Sequence, residues 1–236
     1  MNTPHLLQRQ MLKQVAEALG ADLRPKMTFV GGCTTALLLT DPFTQEQVRS
    51  TDDVDLIVHV MSHMEYHQLQ KQLAQRGFRL SPDHTEEEMP ICAMTLGSLR
   101  VDFMPDSNVL GFTNRWYAKA METATDYSLD ANLTIKLVSP VYFVATKLEA
   151  WKGRGKCDAL SSRDIEDLLN MVDGRPELLE EIATAPQEIQ GYIAEELRHL
   201  LDDPNFQYAV NSQSRGSSDR ENILYDRLEA LTKGAV

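Results

Sequence analysis

Three aspartates stand where their side chains can share work. Asp53 and Asp55 flank Val54 and lead into an apolar, β-branched run, residues 54–60 (VDLIVHV). Alternate residues of a strand face the same way, so the two carboxylates belong to one face. Like charges side by side destabilise a strand. A hard divalent cation such as Mg2+ removes the conflict, because it takes oxygen ligands and binds through one or two carboxylates plus substrate phosphates. A solvated acidic strand end explains the same pair equally well. Asp102 interrupts a second apolar stretch: Leu99, Arg100, Val101, Asp102, Phe103, Met104. Alternation turns it away from Val101 and Phe103, as it would a solvent-side residue. If its strand joins the sheet of Asp53 and Asp55, the three carboxylates form one cluster. Such a cluster supports two metal ions, which clamp the attacking and leaving oxygens of an in-line phosphoryl displacement.

Two further groups carry chemical potential. Gly31 and Gly32 follow the apolar residues 27–30 and precede Cys33, Thr34 and Thr35. Glycines let backbone approach a ligand, and free N–H groups of a following helix favour phosphate; an ordinary tight turn has the same signature. Lys147 lies among Val141, Phe143, Val144, Leu148 and Trp151, with Arg154 one turn on. It reads either as a functional cation or as a lysine snorkelling at a helix edge. Asp164 and Asp167 share a helix face. Asp164 also suits a first-turn acid that stabilises the helix dipole behind a Ser161 or Ser162 cap; Asp167 suits that less well. His59, His63 and His67 are spaced by four, but His59 falls on the strand and the other two on a solvated helix face beside Glu65. Glu86, Glu87 and Glu88 form a solvated acidic run. Asp106 and Asp158 have no partner in the sequence pattern.

The elements that must position these residues follow from periodicity. Helical spacing over residues 5–19 stops at Gly20, and a strand over 27–30 enters the glycine turn. A short helix over 34–39, a loop over 41–50 and a strand over 54–60 come next. Ser62 and Glu65 have capping-box spacing for a helix over 62–76, closed by Gly77. Strands over 91–96 and 99–104 flank Gly97 and Ser98, a two-residue hairpin turn. A helix over 114–121 and strands over 126–129 and 133–138 complete this part. From Ser139 and Pro140 onward the pattern is helical, over 141–151, 162–172, 176–184 and 186–201. A polar linker (211–219) and a last helix (220–232) follow. The expected organisation is α/β, a mixed sheet with helices over residues 1–135, then an α-helical domain over 136–236.

Composition narrows the function. A net charge of −12 argues against a broad electrostatic footprint on nucleic acid, and leaves room for a local patch or for nucleotide held through metal. Cys33, Cys92 and Cys157 are far apart and odd in number, which argues against a disulfide framework or zinc site and fits a reducing cytosol. No signal-type apolar segment or run of eighteen apolar residues occurs, so a cytoplasmic protein without a membrane partner is expected.

The order Val30-Gly31-Gly32, Asp53-Val54-Asp55, Val101-Asp102-Phe103 resembles the polymerase β-type nucleotidyltransferase superfamily. Its pattern is a hydrophobic-Gly-Gly/Ser turn, then D-h-D-h, then a lone acid on a later strand. Residues 49–56 (RSTDDVDL) are similar to the R-x-T-x-D-x-D-L of the AbiEii-type toxin branch, which includes the MenA-like toxins. Lys147-Leu148-Glu149-Ala150, Arg154 and residues 163–168 (RDIEDL) are similar to that branch's later K-L-x-A, R and R-D-x-x-D-L. The resemblance spans roughly residues 25–170. It implies a polymerase β-like core and transfer of a nucleoside monophosphate from an NTP to a hydroxyl. Asp53, Asp55 and Asp102 would hold Mg2+, or Mn2+. Gly31, Gly32 and the Thr34 or Thr35 hydroxyl would hold phosphates, and Lys147 would meet the triphosphate. Asp164 or Asp167 would position Lys147 or the acceptor. It further implies an RNA acceptor such as a tRNA 3′ end, and a toxin with a cognate antitoxin. A protein-nucleotidylating enzyme and a catalytically silent nucleotide-binding or interaction module are the alternatives. The chain departs from the pattern at Cys33, where the superfamily often has Ser, and in a longer spacer from Gly32 to Asp53.

Overall fold

Val54, Leu56, Ile57 and Val58 are all buried, and so are Val101 and Phe103 on the strand beside them. These residues, mostly β-branched with one aromatic and one leucine, lie on the central strands of a seven-stranded sheet. The computed structural model describes residues 4–80, 91–154 and 158–233. The acidic run at Glu86, Glu87 and Glu88, and Cys157, lie outside the described residues.

The chain begins with helix α1 (Pro4–Leu23) and strand β1 (Met27–Val30). Two single-turn helices follow, α2 (Thr35–Leu38) and α3 (Pro42–Gln45). Then come β2 (Asp53–Val58), α4 (His63–Ala74), β3 (Phe78–Arg79), β4 (Ala93–Leu96) and β5 (Leu99–Pro105). Next are α5 (Tyr117–Glu122), β6 (Thr125–Asp130) and β7 (Leu133–Leu137). The remainder is helical: α6 (Pro140–Gly153), α7 (Arg163–Gly174), α8 (Leu178–Ala183), α9 (Gln187–Leu201), α10 (Phe206–Ser214) and α11 (Ser218–Thr232). No described helix is long and apolar enough to cross a membrane.

The chain divides into two compact units. The first runs to Thr34 and resumes from Arg49 to Ser139. It carries the sheet, ordered β3-β4-β5-β2-β1-β7-β6. The β2–β5 and β1–β7 pairs are parallel and the other pairs antiparallel, so the sheet is mixed, as expected. The β4–β5 hairpin turns through Gly97 and Ser98, where the sequence pattern put it. The second unit takes Thr35–Val48 together with the helices from Pro140 onward.

Local chemistry explains several helix starts. Ser62 caps α4 by accepting from the Glu65 amide, and the Glu65 carboxylate accepts from the Met61 amide. Ser162 caps α7 through the Ile165 amide. Several expectations change. The first helix breaks at Gly20, where the stop was expected (φ 72, ψ 177), and a further short helical stretch, not expected, runs on to Leu23. The stretch expected as a loop, 41–50, contains α3, because the Asp41 carboxylate caps it through the Thr44 amide and Pro42 sits in its first turn. The first residues of the expected linker, 211–214, end α10 instead. There Val210 and Ser214 are buried, and the Gln213 amide reaches Asn170 at 3.0 Å and Asp173 at 3.2 Å. Strand β3 carries only two residues, too short for a periodic signal.

Candidate active site

Strand register decides what the three aspartates can do together. Asp55 on β2 is the Cα partner of Asp102 on β5, and Asp53 is the partner of Arg100. Paired residues on adjacent strands project to the same side, about 4.8 Å apart along the hydrogen-bonding direction. Asp53, Asp55, Arg100 and Asp102 therefore share one face of the sheet. Asp53 and Asp55 are half-buried, and Asp102 is only 6% exposed. The buried position rules out the solvent-side explanation of Asp102.

Gly31 completes this face from the neighbouring strand. Val30 pairs with Asp55, and Gly31 follows in the left-handed region (φ +79). A Cβ built on Gly31 would lie 1.8 Å from Asp55 Oδ2. Only glycine lets the backbone lie against that carboxylate. The turn then tightens through a 3-10 segment, Gly32–Thr34, whose three residues are all buried. The helix after it, α2, is a single turn of four residues, shorter than the pattern suggested.

The hydroxyls of this turn are engaged inside the protein. Thr34 Oγ1 donates to the Gly31 carbonyl at 2.8 Å, fixing the turn. Thr35 Oγ1 donates to Asp167 Oδ1 at 3.3 Å within the helical unit. Both threonines are fully buried. Cys33 is buried too, with its thiol toward the Gln8 carbonyl. Burial pushes that thiol up to about 12, and the nearby Asp55 and Asp53 charges push the same way. On the other flank, burial and the Asp102 charge push the Cys92 thiol up to about 12. Both are protonated hydrophobes at neutral pH, which suits buried cysteines that line an acidic cluster.

Arg100 is the residue the sequence pattern did not single out. Its Nε donates to Asp102 Oδ1 at 2.9 Å and its Nη2 to Asp102 Oδ2 at 2.6 Å, a two-pronged pair. The Asp102 bond, then the charges of Asp102, Asp53 and Asp55, hold the guanidinium well above its ordinary pKa. The Arg100 guanidinium therefore sits in the field of all three carboxylates. The available signal was its position two residues before Asp102, on the same face of the same strand.

The helical unit assembles the other predicted residues. Val141, Phe143, Val144, Ala145, Leu148 and Trp151 are buried, so α6 is apolar on nearly all sides and central to that unit. Lys147 is carried inside with them: its side chain is 10% exposed, and its Nζ lies 3.2 Å from Asp164 Oδ1 and 2.7 Å from Asp167 Oδ2. A snorkelling lysine at a helix edge does not describe it. Arg154 reaches the second oxygen of Asp164. Two buried carboxylates on α7 thus meet two cations, Lys147 from α6 and Arg154 from the turn just after it, and Thr35 adds a hydrogen bond to Asp167. A cavity of about 610 Å³ opens elsewhere on the same unit, among Phe43, Asp173, Arg215, Arg220 and Arg227. None of the predicted residues lines it.

The remaining candidates sort themselves. His59 lies just past β2 and its Nδ1 is 2.6 Å from Asp106 Oδ2, which supplies the partner that the sequence pattern left unassigned. His63 and His67 are exposed on α4. The Asp158 carboxylate accepts from the Leu160 amide in a local turn. Neither a known protein-family model nor a curated protein sequence matches the chain.

Proposed function

We propose that the chain is a metal-dependent nucleotidyltransferase that moves a nucleoside monophosphate from an NTP to a hydroxyl, releasing pyrophosphate. One observation carries the reading: Asp55 and Asp102 are register partners on adjacent parallel strands, with Asp53 on the same face and Gly31 against Asp55. The three aspartates offer carboxylate oxygens, the chemistry Mg2+ or Mn2+ takes, and the missing Cβ of Gly31 gives the Asp55 carboxylate the room it occupies. Asp53, Asp55 and Asp102 would hold the cation. When bound, it supplies charge neutralisation for the triphosphate and the developing phosphoryl transition state.

The chain's own residues do the rest. Asp53 and Asp55 orient the ligand from half-buried positions. Asp102, the most buried of the three, is the carboxylate placed to take the proton from the attacking hydroxyl. The new bond joins that oxygen to the α-phosphorus, and the bond from the α-phosphorus to the bridging oxygen breaks, so the electron pair leaves with pyrophosphate. Gly31 and Gly32 bring backbone close to the carboxylate face. Lys147 is the cation proposed for the triphosphate, and Asp164 and Asp167 position it; their contacts of 3.2 and 2.7 Å support the positioning part. Rate comes from orientation and fixed charge, with no covalent enzyme intermediate.

The acceptor proposed is an RNA 3′ end such as that of tRNA, with the protein acting as a toxin held by a cognate antitoxin. A protein hydroxyl is the competing acceptor. The test is Mg2+-dependent incorporation of label from each of the four NTPs into RNA or protein, against an Asp53→Ala variant. Label in RNA supports the reading, and label in protein moves the acceptor. Equal inertness of wild type and variant on both acceptors removes it. A catalytically silent module is the second reading, favoured by one observation: Arg100 already engages both oxygens of Asp102.

A further inference from the structure

We infer that Arg100 is a resident counter-cation that holds the acidic site together without metal and must swing away from Asp102 before a divalent cation binds. The inference rests on the metal site proposed above and concerns how that site is regulated.

Three carboxylates on one sheet face repel each other, and Asp102 is buried where an unpaired charge is strongly disfavoured. Arg100 answers both problems. It satisfies both Asp102 oxygens, and it lies opposite Asp53 in the strand register. The same contacts place a positive charge and its donors on the oxygens a cation needs. Guanidinium and metal therefore compete for Asp102. Arg100 is able to yield: its side chain is 34% exposed, while that of Asp102 is 9% exposed. A long, jointed side chain at the surface turns into water, whereas the carboxylate stays. In the site's resting form the arginine closes it; in its loaded form the released guanidinium is a cation beside an incoming phosphate, a task arginine suits.

The experiment measures Mn2+ binding to the intact chain by electron paramagnetic resonance and calorimetry, without nucleotide. The proteins are wild type, Arg100→Gln, Arg100→Lys and Asp53→Asn. Removing one positive charge a few ångströms from a divalent ion should tighten Mn2+ binding on the order of tenfold in Arg100→Gln. Arg100→Lys keeps the charge but loses the fork, so it should bind severalfold more tightly than wild type, and this variant decides the matter if Arg100→Gln does not fold. Asp53→Asn should weaken binding relative to wild type. If both arginine variants bind Mn2+ no more tightly than wild type while Asp53→Asn still weakens it, the counter-cation role is wrong and the metal site stands. If no protein binds Mn2+ at millimolar concentration, both the role and the metal site are overturned.

Discussion

Replacing Gly31 with alanine tests the geometry of the site without touching a charge. The added Cβ would lie 1.8 Å from Asp55 Oδ2, 2.6 Å from Cγ and 2.7 Å from Cβ, at a backbone φ of +79. Two effects act. An alanine in the left-handed region costs about 1–2 kcal/mol. Forcing the carboxylate aside adds about 1–3 kcal/mol, the usual range for overpacking. The sum is about 2–5 kcal/mol, or a fall in Tm of roughly 4–20 °C for a chain of this size. Gly111→Ala is the control, since Gly111 has φ +84 but nothing within 4 Å of its would-be Cβ. It should show only the backbone part, about 1–2 kcal/mol. Urea denaturation of the two variants gives the difference, and Mn2+ binding should weaken in Gly31→Ala alone because Asp55 is displaced. Equal destabilisation of the two, to within about 0.5 kcal/mol, would refute the claim that Gly31 is fixed by the Asp55 carboxylate.

Lys147→Met should destabilise the chain by about 3–5 kcal/mol, read by urea denaturation, because it leaves Asp164 and Asp167 buried with one cation fewer. Adding Asp167→Asn should recover part of the loss; no recovery would mean that the lysine acts through packing. Hydrogen bonding to Asp106, and then its charge, raise the pKa of His59 above 6.5. The resulting stabilisation is fully present below the unfolded value and lost as pH rises through the folded one. Because the His59 side chain is 64% exposed, the effect should stay under about 1 kcal/mol. It should show as a Tm difference from His59→Gln that shrinks from pH 6 toward pH 9, and an NMR titration midpoint at or below 6.5 would contradict it.

Much of the candidate site was legible locally. The shared face of Asp53 and Asp55 follows from the two-residue period of a strand, and the Gly97-Ser98 turn from hairpin chemistry. The Ser62 cap, and a serine cap at 161 or 162, follow from side-chain oxygens that answer unpaired helix amides. These features depend on neighbours within a few residues, so the sequence by itself determines them. The pairing of Asp55 with Asp102 does not. Their strands are parallel, and the chain between them passes through α4, β3 and β4, so only the sheet order brings the carboxylates together. That Arg100 can reach Asp102 follows from the strand period, but the depth of Asp102, which makes the pairing matter, comes from the packed sheet. Lys147 shows the same division. Its position on an apolar helix was readable, but its depth was not, because burial on nearly all sides of α6 comes from the helices packed around it. His59 and Asp106 meet because both lie at the same end of paired strands, forty-seven residues apart. The sequence determined which residue types were available and which way they face along each element. Tertiary structure decided which of those charges are neighbours, because charge pairing acts over a few ångströms in space, whatever the separation along the chain.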